Sequence, residues 1–254
     1  MITSMDEEMC VENLKEIKRI LDDAGVKYWL DFGTLLGAVR DGKFIPWDTD
    51  IDLSTMCTES NKIIRKIPEI EQKGFKADIT DFVIYIHRVR DNPATLNINL
   101  SLYRPQGDKA WKLWGKKSPK VNGILKYSYM LADRILYWKL RSKMTMGERI
   151  IYALIPSFAE YSIRKFSFKV CKSFGQEYTA LVVPKSYYER LSAISFYGMT
   201  FNVPSNVHEY LTLIYGEDWK KPNPNWKGKY PAIDDAFDIG KREDLSLFKC
   251  LKEE

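Results

Sequence analysis

The stretch Gly33–Leu53, GTLLGAVRDGKFIPWDTDIDL, sets three aspartates at alternate positions, Asp48, Asp50 and Asp52, directly after a proline and a tryptophan. Side chains two apart on a strand share a face, so Asp50 and Asp52 project together. Asp48 either joins that face or lies in the turn before the strand. Two carboxylates on one face repel unless a cation joins them, and Mg²⁺ takes hard oxygen ligands, often one or two carboxylates plus a substrate phosphate. Upstream, Gly33 and Thr34 open a short helical run. A glycine there lets backbone approach a phosphate, and a helix N-terminus favours negative charge. Arg40 and Lys43 add positive charge nearby. Together these parts make a metal-nucleotide site. A polar turn leading into a surface strand is the plain alternative.

Outward from this stretch the chain alternates between helical and extended patterns. Residues 7–23 carry Val11, Leu14, Ile17, Ile20 and Leu21 at helical spacing, with Gly25 as a stop. Residues 26–30 read as a short strand, 34–40 as a short helix, 51–56 as a strand and 59–72 as a helix containing Pro68. Residues 81–89 and 95–103 read as strands, the second with Leu96, Ile98, Leu100 and Leu102 on one face. Residues 178–184 form a last strand candidate, 186–194 and 207–216 short helices, and the tail ends in a charged helix. The pattern predicts an α+β chain, with a mixed β-sheet flanked by helices.

Composition changes after Tyr103. From Arg104 to Ala180 there are sixteen Lys/Arg against five Asp/Glu, although the whole chain is only +5, so the remainder is net acidic. Residues 104–177 therefore read as a basic, aromatic helical insertion. It interrupts a core built from 1–103 and completed by 178–254. The insertion is either a helical subdomain with a solvated basic face or an amphipathic surface, at 104–175, for a membrane or an anionic substrate. The four cysteines form no CxxC pair, so neither a disulfide framework nor a zinc cluster is expected, and a reducing, cytoplasmic compartment fits. The N-terminus has no signal-peptide pattern, and no apolar run approaches the length of a spanning helix. The modest positive charge favours anionic partners such as nucleotides, phosphates or acidic membrane surfaces without choosing among them, and no nucleic-acid partner is expected.

The run WLDFGTLLGAVRDGKFIPWDTDIDL (29–53) resembles the signature of the LicD/fukutin-related family, with Gly33, Thr34, Leu35, Leu36, Gly37, Ala38, Arg40, Pro46, Trp47, Asp48, Asp50 and Asp52 in register. HEYLTLIYGEDWKKPNP (208–224) resembles that family's C-terminal pattern. The resemblance covers about residues 10–103 and 178–224. It implies a nucleotidyltransferase-like core and a transferase that moves a phosphoryl-linked small alcohol, such as phosphocholine or ribitol phosphate, from a CDP-activated donor to a glycan hydroxyl. Cell-surface glycans of the lipopolysaccharide or teichoic acid kind, free or lipid-linked, are the implied acceptors. Another nucleotidyl or phosphosugar transfer on the same fold, or an inactive glycan- or membrane-binding homologue, are the alternatives.

On this reading Asp50 and Asp52 hold Mg²⁺, with Mn²⁺ as the substitute. Gly33 and Thr34 seat phosphate, and Arg40 and Lys43 offset charge as CMP departs. Asp48 ligates a second ion or orients Arg40. Trp47 stacks on the donor or anchors packing; Asp218 and Trp219 touch substrate or fix their turn. One departure stands out. Where the superfamily places a third carboxylate on a later strand, this chain offers Asn97 and Asn99, of which Asn99 is the closer match. Asparagine can coordinate through oxygen but cannot accept a proton as a base. Asp78, Asp81 or Asp48 are the candidates to replace it; otherwise the protein is impaired or uses the acceptor's own chemistry.

Overall fold

The computed structural model describes residues 6–79, 82–89, 97–117, 119–120, 122–136, 154, 157–226 and 228–235. Helix α1 (Glu7–Asp23) is capped by the Asp6 carboxylate, which accepts the Met9 N–H, and buries Leu14, Ile17, Ile20 and Leu21. Strand β1 (Tyr28–Leu30), helix α2 (Phe32–Arg40), strand β2 (Asp50–Met56) and helix α3 (Ser60–Gln72) follow. Strands β3 (Phe75–Ile79), β4 (Val83–Arg88), β5 (Asn97–Gln106) and β6 (Lys109–Lys117) lead to helices α4 (Ile124–Leu136) and α5 (Ser157–Ser173). Strand β7 (Glu177–Pro184), a single turn α6 (Ser186–Glu189), strands β8 (Ser192–Phe196) and β9 (Met199–Val203), helix α7 (Val207–Tyr215) and strand β10 (Ile233–Asp234) complete the described chain.

One mixed sheet runs β1-β2-β5-β6-β7-β10, with β4 and then β3 attached to β5. The β2–β5 pair is parallel, and the other pairs are antiparallel. Period-two alternation sorts the two central strands. Ile51 and Leu53 on β2, with Ile98, Leu100 and Leu102 on β5, are buried in the main core. Asp50 and Asp52, with Asn99 and Ser101, therefore emerge on the opposite face. Strand β5 is the hinge of the architecture. Its first part pairs with β2 and β4, whereas Arg104–Gln106 pairs with β6. This succession brings β6 up beside the acidic face.

Several sequence expectations change here. Residues 104–117 are strand rather than helix, because β5 runs on through a two-residue turn into β6. The helical part of the proposed insertion begins at α4. The helix expected over 186–194 is one turn followed by the β8–β9 hairpin. Tyr197 and Gly198, with φ of 49° and 72°, supply the two left-handed positions of its tight turn. Cys57 is disulfide-bonded, although no disulfide framework was expected. The expected charged helix at the tail lies outside the described residues. Among the described residues no helix is long and apolar enough to cross a membrane.

Candidate active site

The acidic face of β2 opens into a cleft of about 840 Å³, within the usual range for small-molecule sites. Gly33, Arg40, Trp47, Asp48, Asp50, Asp52, Asn99, Asp218 and Trp219 all line it. Nine of the eleven residues singled out in the sequence thus converge. Thr34 and Lys43 do not reach the cleft. Thr34 is buried beneath it, and Lys43 is exposed outside it.

Local hydrogen bonds fix the carboxylates. The Thr34 hydroxyl accepts the Asp52 backbone N–H at 2.8 Å, and the Gly33 N–H donates to the Asp52 carboxylate at 3.3 Å. The two groups expected to seat phosphate are directed at Asp52 instead. Gly33 has a steric reason as well: a Cβ there would lie 2.0 Å from Asp48 Oδ2, so only a glycine leaves the Asp48 carboxylate its place. Asp48 sits in the turn before β2, and its carboxylate accepts the Thr49 N–H at 2.9 Å. It does not orient Arg40, whose guanidinium is paired with Asp41 at 2.7 Å.

Asn99 lies directly opposite Asp52 in the parallel register, and its amide donates to Asp50. The place of a third carboxylate is therefore filled by a neutral group that braces Asp50. Of the possible replacements, Asp78 is on β3 and faces Lys76 and His87 at 3.7 and 3.9 Å, away from the cleft. Asp81 is outside the described residues. Asp48 is the further carboxylate that the cleft contains.

The crowding of negative charge shows in the titration of the group. Burial, then repulsion by Asp50, pushes Asp48 up to about 6. Burial and Asp50 together hold Asp52 well above the usual carboxylate range. Asp50 is also raised by burial, against the opposing pull of Lys112 and Asn99. A cation bound between these carboxylates would compete with the protons and relieve the repulsion. The donor set, oxygen on one face with solvent access, fits a hard divalent ion that keeps part of its shell for water or phosphate. Among the described residues no group of three or more His, Cys, Asp or Glu side chains is placed to hold a metal ion, so protein ligation here would rest on the Asp50–Asp52 pair.

The sequence reading missed three parts of the site. The first is Lys112 on β6, buried, with its ammonium donating to Ser101 Oγ at 2.9 Å and lying 3.8 Å above the Phe32 ring. Burial lowers its pKa, and the charges of Asp31, Asp52 and Asp50 work against that. The second is Asp31, fully buried, which caps α2 by accepting the Phe32 N–H at 2.9 Å. It also accepts hydroxyls from Tyr210 at 2.7 Å, Ser54 at 2.7 Å and Tyr103 at 3.1 Å. Phe32 follows with φ of 42°, an uncommon value for a side chain of this size, which sets its ring under Lys112. The third is an aromatic wall. Trp114 and Trp226 pack edge-on against Tyr230 at 4.5 and 4.6 Å, and Tyr215 contacts Trp226 at 5.1 Å. Trp219, by contrast, is mostly buried, stacked on His208 with its N–H given to Thr212. Asp218 is an exposed rim residue paired with Lys221.

Residues 25–122 match the family model described as LicD/FKTN/FKRP, nucleotidyltransferase domain. The match runs beyond Tyr103 through β6, and so takes in Lys112. Over 48 residues the chain is 52% identical to ribitol 5-phosphate transferase FKRP of Homo sapiens, covering 17% of this chain and 10% of that protein. The matched stretch is thus about a tenth of that relative. Over 261 residues the chain is 24% identical to lipopolysaccharide cholinephosphotransferase LicD of Haemophilus influenzae, covering 90% of this chain and 95% of that protein. The solution structure of the antibiotic-resistance factor ANT(2'')-Ia aligns over 66% of this chain and 95% of its own. Its TM-score is 0.32 at 14% identity, too slight a likeness to bear on the fold.

Proposed function

We propose, on the match of residues 25–122 to the LicD/FKTN/FKRP nucleotidyltransferase domain model, that the cleft transfers a phosphoryl-linked small alcohol from a CDP-activated donor to a glycan hydroxyl. The observation that carries this reading is the Asp50–Asp52 pair. It is braced from three sides and opens into a cleft that also holds a buried lysine and an aromatic wall.

Asp50 and Asp52 would hold the divalent cation, Mg²⁺ or Mn²⁺, which when bound supplies charge neutralisation for the donor diphosphate. Asn99 keeps Asp50 in its rotamer, while the Gly33 N–H holds the Asp52 carboxylate and Thr34 fixes the Asp52 backbone. Lys112 faces both and adds a fixed positive charge. The wall of Trp114, Tyr230, Trp226 and Tyr215 offers flat surface on which a base or an alcohol head group can rest. The acceptor oxygen attacks the phosphorus that bears the alcohol, its proton passes to the Asp48 carboxylate, and the bond to CMP breaks. Asp48 takes this role because Asn99 cannot accept a proton. Trp47 and Asp218 sit at the rim, where an extended glycan would enter. Positioning and preorganised charge do most of the catalysis in such transfers.

The acceptor side has its own support. Helix α4 exposes Leu125, Tyr127, Met130 and Leu131, in the strongly basic segment of the chain. This combination suits a peripheral contact with an anionic, lipid-linked acceptor or the surface that carries it, at a cytoplasmic membrane face. The direct test of the reaction is a screen of CDP-choline, CDP-ribitol, CDP-glycerol, CDP-ethanolamine and a nucleoside diphosphate sugar for nucleotide release with glycan acceptor present. Release from one CDP donor supports the reading. Release from the diphosphate sugar, with every CDP donor inert, moves the protein to the phosphosugar alternative.

A further inference from the structure

We propose that Lys112 does the work of a second cation, so that the cleft takes one divalent ion per chain. The inference rests on the reading that Asp50 and Asp52 hold such an ion. Two-ion phosphoryl-transfer sites set their ions about 4 Å apart and need enough carboxylate to serve both. Here β2 supplies two. In the neighbouring strand the register gives Asn99 opposite Asp52, a neutral amide that donates to Asp50. Two residues on, Ser101 presents a hydroxyl that already accepts from the Lys112 ammonium at 2.9 Å. The flank that would feed a second ion thus carries one neutral donor and one positive charge.

The placement of Lys112 is built into the fold. Strand β6 takes up the edge of β5 just where β4 leaves it, which carries Lys112 in beside Ser101. Its side chain is 6% exposed, and its ammonium lies on the Phe32 ring facing Asp31, Asp50 and Asp52. A buried ammonium persists where carboxylates compensate it, and this one lies inside the cleft that the donor must enter. It meets the negative charge that develops on the departing CMP phosphate as the phosphorus–oxygen bond breaks and the acceptor bond forms. A second divalent ion beside it would face like charge, with no carboxylate on β5 to hold it; Asp48, the cleft's third carboxylate, lies in the turn before β2, against Gly33.

The test counts Mn²⁺ bound to the full chain, without nucleotide, by paramagnetic resonance of the free ion, with thermal melts to establish that each variant is folded. The wild type should bind one ion per chain, and Asp50→Asn/Asp52→Asn none. Lys112→Met should still bind one, with kcat down about 10²–10³-fold and the acceptor KM little changed. Asn99→Asp/Lys112→Met should bind two. Two ions on the wild type, or a folded double variant that still binds one, would overturn the proposal, as would wild-type kcat in Lys112→Met. If the double variant does not fold, the wild-type count decides, one ion supporting and two overturning. A folded wild type that binds no Mn²⁺ removes the metal site itself, and the proposal with it.

Discussion

Asp31→Ala is the substitution that should cost this protein most stability relative to its size. The carboxylate is fully buried and accepts four hydrogen bonds: the Phe32 N–H, and the hydroxyls of Tyr210, Ser54 and Tyr103. Alanine leaves three hydroxyls without that acceptor in a dry environment. Tyr210 retains its contact with Tyr188 at 3.0 Å, so its loss is partial. An orphaned buried polar group costs about 1–3 kcal/mol, and loss of the α2 cap adds about 1 kcal/mol. Release of the buried charge offsets part of this, and relaxation shares the hydroxyl costs, which leaves a net loss of about 4 kcal/mol. That is a large share of the stability of an ordinary domain. Asp31→Asn keeps one acceptor oxygen for the cap and should lose roughly half as much. Urea unfolding followed by tryptophan fluorescence reads both, at constant denaturant slope. An alanine variant within about 1 kcal/mol of wild type would refute the view that this carboxylate organises the floor of the cleft.

Three further outcomes follow from the same geometry. Asp48 has a pKa of about 6 in the folded chain against 3.8 unperturbed, so the folded state binds its proton more tightly and stability falls as pH rises from about 4 to about 6. Asp50 and Asp52 are shifted the same way. The metal-free protein should therefore melt roughly 3–5 °C higher at pH 5 than at pH 7.5, about 1.4 kcal/mol from Asp48 over that interval, with Mg²⁺ recovering stability at the higher pH; a flat profile in Asp48→Asn as well as wild type would count against it. Gly33→Ala drives a methyl into the Asp48 carboxylate. Transfer should drop at least tenfold while stability changes by no more than about 1 kcal/mol, since the Asp48 side chain can swing aside; unchanged turnover would contradict a role for Asp48. Finally, sedimentation with vesicles rich in phosphatidylglycerol should pull down the wild type and not Leu125→Glu/Tyr127→Glu/Leu131→Glu. Equal recovery of both would show that α4 is not a lipid-facing surface.

The legible part of this molecule was the part with periodicity. The spacing of Leu14, Ile17 and Leu21 marked α1, alternation marked β5, and Asp50 and Asp52 share a face because strands have period two. The Asn99 position was also readable, and the register places it beside the acidic pair. What escaped had an ordinary surface signature. KAWKLWGKK looks like a solvated basic run, and its burial of Lys112 follows from β5 being long enough to pair on one edge with β4 and then β6. Asp31 looked like one acidic residue between two hydrophobic ones; its partners lie up to 179 positions away. Gly33 has a neighbour that its sequence context does not show: it makes room for the Asp48 carboxylate within its own chain. The Tyr197–Gly198 turn, between two short alternating runs, was a hairpin signal open to reading from sequence.

On the proposed function, Asp50 and Asp52 together make this cleft a transferase site. The most direct measurement is CMP release by the folded Asp50→Asn/Asp52→Asn variant, with the CDP donor that the wild type turns over and its glycan acceptor. A fall of about 10³-fold or more, with the thermal melt retained, is the expected result. Turnover near that of the wild type would contradict it.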